Sequence, residues 1–371
     1  MSMNIKGVAE MLYLQYSGKE NAHLEESIDD RVQDLLDLIG REYISSGTSL
    51  RKLDFGRVAQ YFTLDVISDL AFRTPFGDLT KNEDVHDYIK TMEENLPTII
   101  VLSNIPSLNN LIKVSGLMNL LAPKVKDKKG LGRVMAVARD VVAQRFGPDK
   151  TERDDMLGSF LRHGLNQEDA QSECLIQILA GSDTTATSIR ATFLYIITHP
   201  QVYAKLKYEI DEAIREQRVS SAIIRDSEAK ELPYLQACIK EGLRMWPPVT
   251  SLMEKEVPAG GDVLDGRYIP GGTRIGYCAW GLQRRKDVYG ENAEIFYPER
   301  WLDATEDDLA KMNSVHSLIF GYGRWSCLGK SVALIELDKV FFEYQFHPSK
   351  GGILRVRLGR TATDHRRRKS T

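Results

Sequence analysis

Phe320-Gly321-Tyr322-Gly323-Arg324-Trp325-Ser326-Cys327-Leu328-Gly329 places one cysteine in a loop punctuated by glycines, with an aromatic residue at its head. Glycine adopts backbone angles that other residues avoid and leaves room for a flat ligand to approach the main chain. The next run, Lys330-Ser331-Val332-Ala333-Leu334-Ile335-Glu336-Leu337, has helical apolar spacing. Cys327 therefore stands just ahead of a helix N-terminus, where N–H groups and partial positive charge favour a thiolate, the form that ligates metal. The loop reads as an iron-thiolate site; the competing reading is an ordinary buried thiol.

Three segments upstream decide between these readings. They are Ala180-Gly181-Ser182-Asp183-Thr184-Thr185, then Glu241-Gly242-Leu243-Arg244, then Phe296-Tyr297-Pro298-Glu299-Arg300-Trp301. In this order the four segments resemble the oxygen-activation, ExxR, PERF-type and cysteine-loop motifs of the cytochrome P-450 superfamily, and in particular its fungal microsomal members. The resemblance implies a mainly α fold with a small β region and a haem b whose iron takes the Cys327 thiolate.

Composition is compatible with that reading. The 371 residues, 42% of them hydrophobic, suffice for a sizeable core in one large domain or two smaller ones. A net charge of −3 provides no basic field for nucleic acid, which is not expected as a partner. Cys174, Cys238, Cys278 and Cys327 lie far apart without a CxxC pair, against a disulfide scaffold or zinc ribbon. The seven histidines show no HExxH or paired spacing, and the glycine pairs lack the forms that cradle phosphate. No apolar run reaches the roughly 18–20 residues of a membrane span, and the first residues lack the basic-then-apolar layout expected of a signal peptide.

Residues 28–44, 54–72, 85–94 and 131–146 carry apolar residues at three- and four-residue spacing and predict amphipathic helices. Residues 96–108 are apolar but interrupted by Pro97, Asn104 and Pro106, as expected of a buried segment or a membrane-facing loop. The lysine-rich stretch 124–129 reads as a solvated loop and 147–149 as a turn. The longest helical pattern, 167–199, stops at Pro200; helices over 200–217 and 232–246 follow, the latter stopped by Pro247-Pro248. Short strand-like runs at 256–257, 267–269 and 273–276 are separated by glycine turns. A haem-thiolate domain over 1–345 and a disordered basic tail over 346–371 are expected.

The resemblance assigns roles residue by residue. Ala180-Gly181 removes bulk so that a flat cofactor or dioxygen can approach the helix; a hydroxyl-bent helix is the other reading. The resemblance makes Thr184 and Asp183 the pair that stabilises activated oxygen and delivers protons, which is general-acid work. Glu241 and Arg244 share a helix face at i, i+3, and Arg300 completes a buried Glu-Arg-Arg network whose role is architectural. Arg324 is the candidate partner of a haem propionate, although the commonest family pattern puts the basic residue two before the cysteine, where this chain has Trp325. Lys255 is a second candidate. Phe320, Gly323 and Gly329 complete the cofactor-binding loop, with Phe320 shielding the sulfur. Arg284, Arg285, Lys286 and Lys330 either face a reductase or are simply solvated.

The implied activity is a monooxygenase that hydroxylates or epoxidises an apolar small molecule, using dioxygen and electrons from NADPH through a cytochrome reductase. A role in fungal secondary metabolism follows from the kind of resemblance. The similarity runs from the early helices through Cys327 and its helix. About a hundred residues that usually come first, with their membrane anchor and a Trp-xxx-Arg motif, have no counterpart, and residues 13–21 resemble the segment just after that motif. Members of this type are usually anchored to the endoplasmic reticulum; without an anchor this chain reads as cytoplasmic. The alternative to an enzyme is an inactive shortened relative with a binding role.

Overall fold

A computed structural model of the chain describes residues 23–46, 48–105, 131–147, 153–220, 222–346 and 355–357. Of the stretches singled out above, residues 13–21, 106–108, 124–129, 148–149, 347–354 and 358–371 lie outside them. The described residues form two compact units divided at the Asp183–Thr184 bond, inside one long helix.

The first unit holds α1 (Leu24–Leu38), β1 (Lys52–Asp54), α2 (Phe55–Phe72), α3 (Asp78–Lys81), α4 (Tyr88–Asn104), α5 (Leu131–Ala143), α6 (Met156–Arg162) and the first half of α7 (Gln167–Thr198). α2 is its central element. The Asp54 side chain caps its N-terminus by accepting the Arg57 N–H at 3.1 Å, and Arg73 ends it in the left-handed region at φ 52°. The spacing predicts an amphipathic helix here, but every α2 residue except Arg57 is buried. The reason is that α1, α3 and α6 pack around it, so its polar residues must find internal partners. Asp65 does so by accepting the N–H groups of Gly77, Asp78 and Leu79.

β1 pairs in parallel with a strand at Arg355–Arg357, within the stretch read from sequence as a tail. α4 also departs from expectation, because it continues through Pro97 to Asn104. The carbonyl that Pro97 leaves without its helical donor belongs to exposed Glu93, where water can replace the lost bond. Leu96, Ile99, Ile100, Val101 and Ile105 are exposed on this helix and the residue after it, so of the two readings of 96–108 the described part does not fit the buried segment.

The second unit continues along α7 and adds α8 (Pro200–Arg215), α9 (Asp226–Ala229), α10 (Pro233–Met245), β2 (Leu252–Glu256), β3 (Asp262–Leu264), β4 (Arg267–Ile269), β5 (Arg274–Cys278), the single turns α11 (Ala279–Leu282), α12 (Lys286–Tyr289) and α13 (Arg300–Asp303), then α14 (Glu306–Ser317) and α15 (Lys330–Phe346). β2 pairs antiparallel with β5 from Leu252↔Cys278 to Glu256↔Arg274, and β3 with β4 around the Asp265-Gly266 turn. β2 and β5 are longer than the runs seen in the sequence, β4 matches its run, and β3 has no counterpart there. α8, α9 and α10 pack on α15, whose Leu337, Val340, Phe341 and Phe342 are buried. Full burial of such side chains contributes about 1.5–3 kcal/mol each. This packing fixes α15 and hence the position of the cysteine loop that leads into it.

Candidate functional site

The cysteine loop begins as a single 3₁₀ turn, Leu318–Phe320, and reverses at Gly321. Gly321 has φ 76°, and a Cβ there would stand 2.5 Å from the Trp325 carbonyl oxygen, so only glycine fits. A second 3₁₀ turn, Gly323–Trp325, brings the chain back, and the Cys327 N–H donates to the Phe320 carbonyl at 2.6 Å. The closed loop displays its side chains outward. Tyr322 is 77% exposed, Trp325 55% and Leu328 36%, and Cys327 itself is exposed. Among the cysteines, Cys174 and Cys238 are instead buried, with their thiols pushed well above the ordinary value by burial.

Cys327 is therefore not buried, as the reading of it as an ordinary core thiol requires. Its electrostatics also differ from the simple expectation of a stabilised thiolate. Packing around the sulfur pushes the thiol above its ordinary value, while the Gly329 N–H and the Lys330 charge pull it down by less. The helix-start donors are present, but the metal itself would have to supply the larger share of thiolate stabilisation.

The two cations proposed for propionate binding meet at one ring. Lys255 Nζ lies 4.6 Å and the Arg324 guanidinium 5.0 Å from the centre of the Trp325 indole, one from β2 and the other from the loop. Phe320 is half-buried, with Lys330 Nζ 5.3 Å from its ring centre. Gly323 and Gly329 have open space where a Cβ would project. An exposed cysteine in one loop with exposed aromatic residues, and two cations at one ring, fits a flat, largely apolar, anionic macrocycle whose iron takes one thiolate. Among the described residues, no group of three or more His, Cys, Asp or Glu is placed to hold a metal ion.

Glu241, Arg244 and Arg300 form the predicted network, and it is fully buried around Glu241. Glu241 accepts from Arg244 Nε and Nη2, both at 2.8 Å, and from Arg300 Nε at 3.0 Å. Two further donors were not anticipated: the Tyr297 N–H and the Trp301 indole N–H, both at 2.9 Å. The remaining guanidinium N–H groups donate to the carbonyls of Gln283, Ala293, Ile295, Tyr289 and Asn292. Such satisfaction is what makes buried charge tolerable, and it ties α10 to the segment 283–301 that precedes the loop.

Of the four cations suggested for a reductase surface, Arg284 is turned inward. It stacks 3.4 Å from the Trp280 ring centre and donates to the Met245 carbonyl. Arg285 and Lys286 are exposed and paired with Asp287 and Glu291.

On α7 the sequence reading needs one correction. A Cβ on Gly181 would stand 2.9 Å from the Ile67 side chain of α2, so this small residue serves helix packing rather than an open approach. Asp183 is engaged on both oxygens. Gln60 Nε2 donates to Oδ1, and the Tyr88 hydroxyl donates to Oδ2 at 3.1 Å. Thr184 is half-buried, with its carbonyl accepting the Ser188 hydroxyl at 3.0 Å. Gln60 and Tyr88 sit 123 and 95 residues away, so no local signal could have pointed to them.

Loop, network and helix together define the class of protein. A profile of the family described as cytochrome P450 matches residues 9–344, and the chain belongs to that family. It is 47% identical over 331 residues to the cytochrome P450 monooxygenase ABA1 of Pyricularia oryzae, covering 88% of this chain and 65% of that protein. It is 40% identical over 330 residues to the cytochrome P450 monooxygenase aba1 of Botryotinia fuckeliana, with the same coverage. The chain thus spans about 65% of the length of these curated relatives. The crystal structure of the cytochrome P450DA heme domain superposes with a TM-score of 0.68 at 18% identity, covering 90% of this chain and 69% of that one, a likeness of fold. No helix among the described residues is long and apolar enough to cross a membrane.

Proposed function

We propose that the chain is a haem-thiolate monooxygenase that inserts one oxygen atom of dioxygen into an apolar small molecule, by hydroxylation or epoxidation. The observation that carries this reading is the exposed residue Cys327 in a glycine-shaped loop, with the exposed Tyr322 and Trp325 in the same loop and two cations converging on Trp325. Cys327 would ligate the iron, Arg324 and Lys255 would neutralise the propionates, and Phe320 would limit water near the sulfur. When bound, the haem supplies the oxygen-activating redox chemistry.

The chain's own contribution is to hold the thiolate and to deliver protons. Thr184 offers a hydroxyl and Asp183 a carboxyl on adjacent positions of α7, a pair suited to general-acid transfer. Electrons would come from NADPH through a cytochrome reductase meeting the exposed cations near the loop. The fungal origin of the similar proteins supports a place in fungal secondary metabolism.

Reconstitution with haem followed by the reduced, carbon monoxide-bound spectrum tests the assignment. The expected outcome is a thiolate-type Soret band that disappears in Cys327→Ser. A well-folded chain that takes up no haem overturns it. Thr184→Ala is expected to keep haem and divert NADPH consumption several-fold towards peroxide; unchanged coupling removes the relay from the mechanism.

A further inference from the structure

Asp183 is attached to a chain of hydroxyls that continues past its first partner. The Ser182 hydroxyl lies 2.9 Å from the Tyr88 hydroxyl oxygen and 2.7 Å from the Ile178 carbonyl, one helical turn back on α7. Tyr88 is 1% exposed and Ser182 is 0% exposed, so water does not complete their bonding. The contacts Asp183–Tyr88, Tyr88–Ser182 and Ser182–Ile178 are three, while the two hydroxyls carry only two protons.

Two proton arrangements follow. With Asp183 ionised, Ser182 donates to Tyr88 and Tyr88 donates to the carboxylate, while the Ile178 carbonyl keeps its ordinary helical N–H. With Asp183 protonated, the direction reverses: Asp183 donates to Tyr88, Tyr88 to Ser182, and Ser182 to Ile178. Passing between them needs one proton gained or lost at Asp183 and two hydroxyl rotations. Gln60 Nε2 donates to the other carboxyl oxygen in both cases. No buried hydroxyl is left without an acceptor in either state, which would otherwise carry a desolvation penalty.

We infer that Tyr88 and Ser182 are positioning residues that let Asp183 give up and regain a proton repeatedly, by reversing the direction of a buried hydroxyl chain. This deepens the relay reading above and rests on it. Burial, reinforced by the adjacent Asp183 charge, pushes the Tyr88 phenol far above its ordinary value, so it turns without ionising. Thr63, whose hydroxyl donates to the Ser182 carbonyl at 2.9 Å, holds the α7 backbone against α2 while the hydroxyls move.

The test uses the full chain and two readouts. In ligand-free protein with carbon-13-labelled tyrosine, the Cζ resonance missing from Tyr88→Phe is expected to shift in both Asp183→Asn and Ser182→Ala; a resonance indifferent to both overturns the link. In haem-loaded protein, Tyr88→Phe and Ser182→Ala are each expected to raise the peroxide share of NADPH consumption several-fold and to enlarge the solvent deuterium isotope effect. Ser182→Ala is the sharper variant, because it leaves the Tyr88–Asp183 bond possible but removes the acceptor needed for the reversed direction. If Thr184→Ala diverts electrons to peroxide while both of these variants couple like wild type, the hydroxyl chain is refuted and the relay stands. If all three couple like wild type, the relay itself is refuted.

Discussion

Replacing Glu241 by Gln keeps the side-chain shape and removes the charge at the centre of the buried network. The carboxylate accepts from Arg244 Nη2, Arg300 Nε and the Tyr297 N–H on Oε1, and from Arg244 Nε and Trp301 Nε1 on Oε2. An amide retains one oxygen. Its less costly orientation puts that oxygen towards the first three donors and sets its NH₂ against Arg244 Nε and the Trp301 indole. Each buried donor left unmatched costs about 1–3 kcal/mol. Two buried guanidinium groups also lose their counter-charge, which places the total at about 3–5 kcal/mol. Globular domains have about 5–15 kcal/mol in all, so the variant should lose a large part of its stability. Urea unfolding of the ligand-free chain followed by far-ultraviolet circular dichroism measures the difference. A loss below about 1 kcal/mol would mean that the network behaves like an exposed ion pair, and the architectural argument would fail.

Two other outcomes follow from local geometry. Asp78 is buried, accepts the Val85 N–H at 3.0 Å, and is pushed from 3.8 to about 8 by burial, with Asp65, Asp84 and Glu83 adding to the effect. A folded value above the unfolded one means that the stability linked to Asp78 is fully present below pH ~4 and is lost as pH rises through about 8. Asp78→Asn should flatten that slope and be more stable than wild type at pH ~8; parallel melting-temperature curves from pH ~5 to ~8 would contradict it. Gly321→Ala forces a Cβ into the Trp325 carbonyl at a φ of 76°, at a cost of about 1–3 kcal/mol. Haem uptake by this variant should fall, with Trp325 fluorescence changed in the ligand-free chain, and wild-type values of both would show that the loop reversal does not depend on glycine.

Much of the fold was legible because it depends on local rules. Helical spacing and proline stops located α7, α8 and α10 within a few residues, and Pro200 and Pro233 stand in the first turn of the helices that follow them. Glu241 and Arg244 were readable from their i, i+3 spacing, Cys327 from its glycine loop ahead of a helix, and Arg300 only from the resemblance of its segment to a family motif. Periodicity failed at α2, whose apolar stripe is visible but whose polar residues are buried as well, since only packing reveals how many neighbours a helix has. It failed again at Pro97, because whether a proline breaks a helix depends on what its orphaned carbonyl can bond to.

What the sequence alone determined is the chemistry: a cysteine after a glycine turn, an acid beside a hydroxyl, and a carboxylate spaced to meet a guanidinium. Those are properties of residue type and short spacing. Tertiary structure decided how that chemistry is held. It left Cys327 exposed while Cys174 and Cys238 are buried, gathered Lys255 and Arg324 at the Trp325 ring, and turned Gly181 into a packing surface for Ile67. It also bound Asp183 to Gln60 and Tyr88, which are 123 and 95 residues distant. A side chain's hydrogen-bond partners and access to solvent depend on which segments fold beside it, and no spacing along the chain encodes them.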